Sequence, residues 1–283
     1  MSQPRVTIIG AGRMGQGLGL ALKRRGYKVV LLNRSQREVI PPLVLHQGSL
    51  AEATDGAELV LIATPDDAIA EVAGELADGR AISRDQVVLH LSGLLDKTAL
   101  VQLEETGAAC GSFHPVQSIA EPASAAERLK GAYVGIEGDE RALVAAERLA
   151  NTLRMLPVRI SAESKPAYHA GAAFVANYTV ALVGVAERLA RSAGVPPDVA
   201  ARLYLPLLGG AVANLTSLGP AAALTGAVRR GDVQTIQSHL EALGPEDREL
   251  YRTVGRAAVL LAREAGLNDI AIEKVNAVLD GNT

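Results

Sequence analysis

Lys165, His169 and Asn177 fall at multiples of four residues, with Ala173 completing the series, in a stretch that carries no formal charge between Lys165 and Glu187. On a helix each step of four turns about 40° and rises about 6 Å, so these residues share one drifting face. Lys165 and His169 are one turn apart and cannot both stay protonated cheaply in a dry site, so one is expected to have a lowered pKa. A group tuned that way can give a proton to the alkoxide that develops when a hydride reaches a carbonyl. Asn177 lies about 18 Å from Lys165 along the axis, too far to grip the same reacting atom. His114 precedes Pro115, which biases it to extended backbone. It stands among Ser112 and Ser118 where the chain is expected to return to the sheet edge beside a cofactor. Ser92 follows an expected strand at 86–91, a strand-end position suited to a substrate contact. Lys165, His114 and His169 are therefore the catalytic candidates, and Ser92 and Asn177 the substrate-binding ones. No metal site is expected.

These side chains need a scaffold, and the first thirty residues describe one. Residues 5–10 form a β-branched run, then Gly10-Ala-Gly12-Arg13-Met14-Gly15, a helical stripe with Leu18, Leu20, Ala21 and Leu22, and a second strand at Lys28–Leu32. Strand, G-x-G-x-x-G, helix and strand in this order is the dinucleotide fingerprint in its required context. Gly10 allows the turn, Gly12 lets backbone approach a pyrophosphate, and Gly15 lets helix and strand pack. The N-terminal N–H groups of the helix, at Arg13 and Met14, face the phosphates. After the second strand, NAD-binding proteins usually carry an acid for the ribose 2′-hydroxyl. Here Asn33-Arg34-Ser35-Gln36-Arg37 offers arginines and a hydroxyl instead, which suit a 2′-phosphate. NADP (NADPH) is the expected cofactor, with NAD also open. A strand at 58–63 ends at Thr64-Pro65-Asp66, placing Thr64 and Pro65 against the cofactor, and a helix at 67–77 follows. Strands at 132–136 and 157–160, around a helix at 139–153, finish the sheet with a change of strand direction.

Beyond Ser161 the pattern turns wholly helical, with helices expected at about 164–193, 197–217, 232–243, 246–266 and 269–280. The fold class is α/β: a Rossmann-type doubly wound sheet over residues 1–160, then an all-α domain over 161–283. Composition limits the partners. A formal net charge of −3 gives no general attraction to nucleic acid or anionic lipid. With 48% hydrophobic but 3% aromatic residues, the core must be Ala, Val and Leu at close range. Cys110 is the single cysteine, which fits a reducing cytoplasm. The stretches 166–186 and 203–228 lack charge. The second is broken by Pro206, Gly209, Gly210, Gly219 and Pro220. The first holds His169, Asn177 and many small residues, and is expected to be a buried helix of a soluble cytoplasmic protein.

The fingerprint, Ala63-Thr64-Pro65-Asp66, Leu91-Ser92-Gly93, Gly111-Ser112-Phe113-His114-Pro115 and Lys165…Tyr168-His169…Asn177 together resemble a bacterial family of oxidoreductases. Its members join a Rossmann domain to a helical C-terminal domain of unassigned function. More widely, the layout is similar to the 6-phosphogluconate dehydrogenase-like superfamily, with its β-hydroxyacid dehydrogenases, ketopantoate reductase, pyrroline-5-carboxylate reductase and prephenate dehydrogenase. The resemblance implies a helical domain of the 6-phosphogluconate dehydrogenase C-terminal type that forms a homodimer and closes a cleft over the nicotinamide. Lys165 matches the lysine of β-hydroxyacid dehydrogenases, but His169 stands where they carry asparagine. Leu224-Thr225-Gly226-Ala227 also lacks the proline that relatives place at its end. The function implied is NADP-dependent hydride transfer between nicotinamide and a small oxo or hydroxy acid. Two alternatives stay open: imine reduction resembling that of pyrroline-5-carboxylate reductase, and non-catalytic NADP sensing.

Overall fold

Short aliphatic runs become strands because both of their faces are covered, which selects near-continuous Val, Ile and Leu. The computed structural model describes residues 3–281. Its sheet contains β1 (Arg5–Ile9), β2 (Lys28–Leu32), β3 (Leu59–Ile62), β4 (Val87–His90), β5 (Ala109–Pro115), β6 (Tyr133–Gly138) and β7 (Leu156–Arg159). The strand order is β2-β1-β3-β4-β5-β6-β7. The first five run parallel, and β6 reverses against β5, which is the expected change of direction. Between β1 and β3 the winding switches sides, so the carboxyl ends of β1 to β5 share the edge on which ligands collect.

Side-chain alternation splits the core in two. Leu59, Leu61, Leu89 and Phe113 face a cluster that includes Leu18 and Leu22 of α1 (Arg13–Lys23) and Leu149 of α5 (Glu140–Leu153). Val60, Ile62, Val88 and Cys110 face the other cluster, with Ile69 and Leu76 of α3 (Asp66–Asp78). Two short helices, α2 (Leu50–Thr54) and α4 (Ala125–Leu129), and 3-10 turns complete the crossovers. Burial pushes the Cys110 thiol up to about 11, so it behaves as a core residue.

Among the described residues no strand follows Arg159, as expected. The expected helix at 164–193 is instead α6 (Lys165–Ala173), a π-helical turn at Phe174–Tyr178, and α7 (Thr179–Ser192). The compact units are Met1–Asn177 and Tyr178–Thr283, so the division falls inside this helical stretch rather than at 160. The reason is local: α6 is fastened to the sheet through its own polar side chains. The second unit contains α7, α8 (Pro197–Leu203), α9 (Leu205–Leu218), α10 (Pro220–Ala223), α11 (Gly226–Arg230), α12 (Val233–Ala242), α13 (Pro245–Glu264) and α14 (Asp269–Asp280). Its core is Ile236, Leu240, Val259, Ile272, Val275, Val278 and Leu279. Asp232 and Asn268 cap α12 and α14 by accepting from Thr235 N–H and Ala271 N–H.

The expectation of a buried apolar helix is overturned. Phe174 is 67% exposed, Val175 77% and Val180 72%. By length and composition, Ala162–Ser192 and Pro197–Leu218 would span a bilayer, a test that core helices of soluble proteins also pass.

Candidate active site

The glycine loop connects β1 to α1 with each glycine under a different constraint. Gly10 has φ +114°, and a Cβ there would stand 2.5 Å from the Ala63 carbonyl oxygen. A Cβ on Gly15 would overlap the Gly10 carbonyl oxygen. At Gly12 nothing lies within 4 Å of the Cβ position, which leaves open space above the helix N-terminus where an anion can approach. Arg13 and Met14 occupy the first two positions of α1. Asn33 pins the loop: its Oδ1 accepts from Ala11 N–H at 3.0 Å, and its Nδ2 donates to the Ser35 carbonyl at 2.9 Å. Gly10, Asn33, Arg34, Ser35, Thr64 and Pro65 line one cavity of about 550 Å³. Thr64 Oγ1 is buried there without a hydrogen-bond partner. The residues present fit a dinucleotide.

Farther along the same edge, α6 lays its polar side chains on the sheet. Lys165 is 2% exposed, and its Nζ donates to Ser112 Oγ at 2.7 Å and to the Ser92 carbonyl at 3.3 Å. Ser112 Oγ donates onward to Glu137 Oε2 at 3.4 Å. Ser112 and Glu137 are register partners across the antiparallel β5–β6 pair, which places a hydroxyl between the buried cation and the buried anion. Burial lowers the Lys165 pKa, while Glu137, Asp96 and Asp66 push it back up. Burial raises Glu137, and the Lys165 charge opposes the rise. Sequence reading missed Glu137. Its one signal was a charged residue inside the run Tyr133–Gly138.

Ser92 does not serve as expected. Its hydroxyl donates to Asp66 Oδ2 at 2.8 Å and accepts from Leu94 N–H and Leu95 N–H at 3.1 and 2.9 Å. One donor and two lone pairs are thus committed, leaving nothing for a substrate. Beneath it, His90 Nδ1 accepts from Ser92 N–H, so its Nε2 carries the proton and donates to the Asp96 carbonyl at 2.9 Å. Burial pushes His90 down to about 4.

His114 and His169 meet over Gly93. Their ring centroids are 5.5 Å apart at a T-shaped angle. A Cβ on Gly93 would overlap His169 Nδ1 and stand 2.8 Å from both Cε1 and Nε2 of His114. The other nitrogen, His114 Nδ1, is 2.8 Å from the Tyr168 hydroxyl. That hydroxyl sits over Gly135, where a Cβ would be 2.5 Å away. Burial lowers His114 to about 4, helped by His169 and Lys165. Burial raises Tyr168, opposed by its backbone bond to Gly135. Both groups are therefore neutral near pH 7, and in the tautomer in which the phenol donates to Nδ1 the His114 proton resides on Nε2. His169 Nδ1 is buried and has no partner.

Two placements differ from expectation. His114 lies on β5 with β6 and β7 beyond it, so it is inside the sheet and not at its edge. Asn177 is exposed in the π-helical turn, whose wider winding breaks the four-residue row after Ala173. Lys165 and His169 keep to one face of α6, and Asn177 leaves it.

Residues 1–115 match a Rossmann-like domain, and residues 132–258 match the domain of unknown function DUF2520. The chain joins a Rossmann-like domain to a DUF2520 domain. Ser92, Ser112 and His114 come from the first matched stretch, and Glu137, Lys165, Tyr168 and His169 from the second, so the site is built from both. Protein BF3122 of Bacteroides fragilis is similar in fold, with a TM-score of 0.74 at 24% identity, over 91% of this chain and 98% of that one. The pyrroline carboxylate reductase of Plasmodium falciparum, solved with NADP bound, gives 0.61 at 14% identity over 98% and 99%. An imine reductase of Myxococcus stipitatus in complex with NADP+ gives 0.58 at 21% identity over 95% and 98%. At these identities the likeness is one of fold. A glycerol-3-phosphate dehydrogenase [NAD(P)+] of Listeria innocua is 30% identical over 122 residues, 37% of this chain. The match spans 36% of that enzyme, about a third of its length.

Proposed function

We propose that this protein is an NADP-dependent oxidoreductase that moves a hydride between nicotinamide and a small oxo or hydroxy acid, with NAD as a weaker alternative cofactor. The observation that carries the reading is the convergence of His114, Tyr168 and His169 around Gly93, near the carboxyl ends of the parallel strands, where the glycine loop also lies. When bound, the nicotinamide supplies the hydride. Gly12 and the first turn of α1 would hold the pyrophosphate, with Arg34 and Ser35 serving the 2′-phosphate. Tyr168 fixes the His114 ring through Nδ1, so that Nε2–H is free to donate to the oxygen that gains charge. The unpartnered His169 Nδ1 is left for a substrate polar group, accepting an N–H or O–H or donating to an oxygen according to its tautomer. Lys165, closed off by Ser112 and Ser92, acts from below as a fixed positive charge rather than as the donor. The fold shared with NADP-bound reductases supports the cofactor assignment.

One observation favours imine reduction as the second reading. His114 near pKa 4 is a poor acid reservoir at neutral pH, whereas a protonated imine brings its own proton and needs only acceptors. NADPH oxidation measured against 2-oxo acids, 3-oxo acids and cyclic imines separates the two. Turnover of oxo acids that collapses in His114→Ala supports the first reading; turnover of imines that survives it supports the second. Absence of saturable NADPH binding would remove both.

The exposed apolar side chains of the helical unit, among them Leu205, Leu207, Val212 and Leu218, support a homodimer formed through that unit. Light scattering after size exclusion tests this. A cytoplasmic location accords with the single, unpaired Cys110.

A further inference from the structure

We propose that Glu71 and Glu75 set the cofactor preference by competing with the 2′-phosphate of NADP for Arg34. The proposal rests on the dinucleotide reading of the glycine loop and concerns its far end. Arg34 follows β2, the position that reads the ribose 2′ substituent in dinucleotide folds. Its Nη2 lies 2.9 Å from Glu71 Oε1 and 3.0 Å from Glu75 Oε1. The two glutamates are one turn apart on α3, so their carboxylates share a face and meet the guanidinium together. Glu75 and Arg34 line the same cavity as Asn33 and Ser35.

The charges decide what this arrangement does. One guanidinium between two carboxylates leaves a net negative cluster at the rim of the site. A 2′-phosphate must draw Arg34 away from both acids and then sit beside them. The 2′-hydroxyl of NAD has no such demand, and it can donate to a carboxylate, the contact that acids make in NAD-selective folds. The pocket thus holds an arginine suited to the phosphate and a glutamate suited to the hydroxyl, and their pairing holds selectivity down. Neutralising the acids frees the arginine. All three side chains are largely exposed, so the effect is that of surface ion pairs, modest and sensitive to salt.

The test is titration of NADPH and of NADH, followed by nucleotide fluorescence, on the full chain and on Glu71→Gln/Glu75→Gln. The ratio of the two dissociation constants is the readout, because general damage to the fold moves both together. The expected result is a shift of about fivefold toward NADPH at low ionic strength, shrinking as salt is added. In an Arg34→Ala background the same two substitutions should shift the ratio far less. An unchanged ratio in the double variant, with the unaltered protein binding NADPH, overturns the proposal and leaves the oxidoreductase reading standing. Failure of the unaltered protein to bind either nucleotide overturns both.

Discussion

The Lys165 ammonium donates to the Ser112 hydroxyl across 2.7 Å, and both groups are buried. Because that hydroxyl donates in turn to Glu137, the three groups form one charge-compensated unit beneath the proposed active site. Replacing Lys165 by Met leaves Glu137 buried without its cation, which should destabilise the fold by about 3–5 kcal/mol. Glu137→Gln should cost less, since the amide can still accept from Ser112. The double variant should recover part of the Lys165→Met loss. Urea denaturation of the four proteins closes the cycle, and strictly additive losses would mean that lysine and glutamate do not act as a unit.

The glycine loop offers a separation of binding from folding. Gly12 has φ −69° and open space at its Cβ position, so Gly12→Ala should melt within a degree or two of the parent by the small cost of unstrained surface changes. It should nonetheless weaken NADPH binding at least about tenfold, by filling the room the pyrophosphate needs. Gly15→Ala is the opposite case. Its Cβ meets the Gly10 carbonyl, and the melting temperature itself should fall. Equal behaviour of the two variants in thermal melts would contradict this division of roles.

The strands were legible because buried parallel strands are written as short aliphatic runs, and β2 at Lys28–Leu32 matches its sequence-read bounds. The glycine loop was legible for the same reason: its chemistry is local, within six residues. What escaped the sequence was pairing across distance. Glu137 matters only because the β5–β6 register sets it opposite Ser112. Ser92 looked available because its commitments to Asp66, Leu94 and Leu95 depend on how the turn after β4 closes. The π-helical turn after Ala173 has no signature in the apolar run, so the four-residue periodicity carried the reading too far and kept Asn177 on the wrong face. Exposure of Phe174 and Val175 was hidden too, since an apolar helix reads alike whether its own chain covers it or not.

Acid should weaken the fold through two histidines. His90 and His114 each take up a proton near pH 4 in the folded protein, against 6.5 for the free side chain. Between those values the unfolded chain binds more protons, so unfolding becomes easier as pH falls. The stability from keeping both rings neutral is complete above about pH 6.5 and is lost as pH approaches 4, on the order of 3 kcal/mol for each ring. Denaturation midpoints measured from pH 7.5 to 4.5 should fall accordingly. The slope should be shallower in His114→Asn, and an equal slope there would assign the effect elsewhere.

The most discriminating substitution leaves both histidines in place. At Gly93 a Cβ would occupy the space into which His114 Nε2 and His169 Nδ1 face. Gly93→Ala therefore has to push at least one imidazole off its present line, while Tyr168 goes on holding His114 by Nδ1. If these rings contact the reacting groups, kcat/KM should fall about a hundredfold, the range expected for loss of a positioned proton donor, with NADPH affinity little changed. Tyr168→Phe frees the His114 ring without adding bulk, and should cost about tenfold by the same reasoning. It should also raise the acidic limb of the pH–rate profile, because the ring is then no longer tied in its neutral form. Gly93→Ala with unaltered turnover would show that the chemistry lies away from the two histidines, and would pass the catalytic role to Lys165.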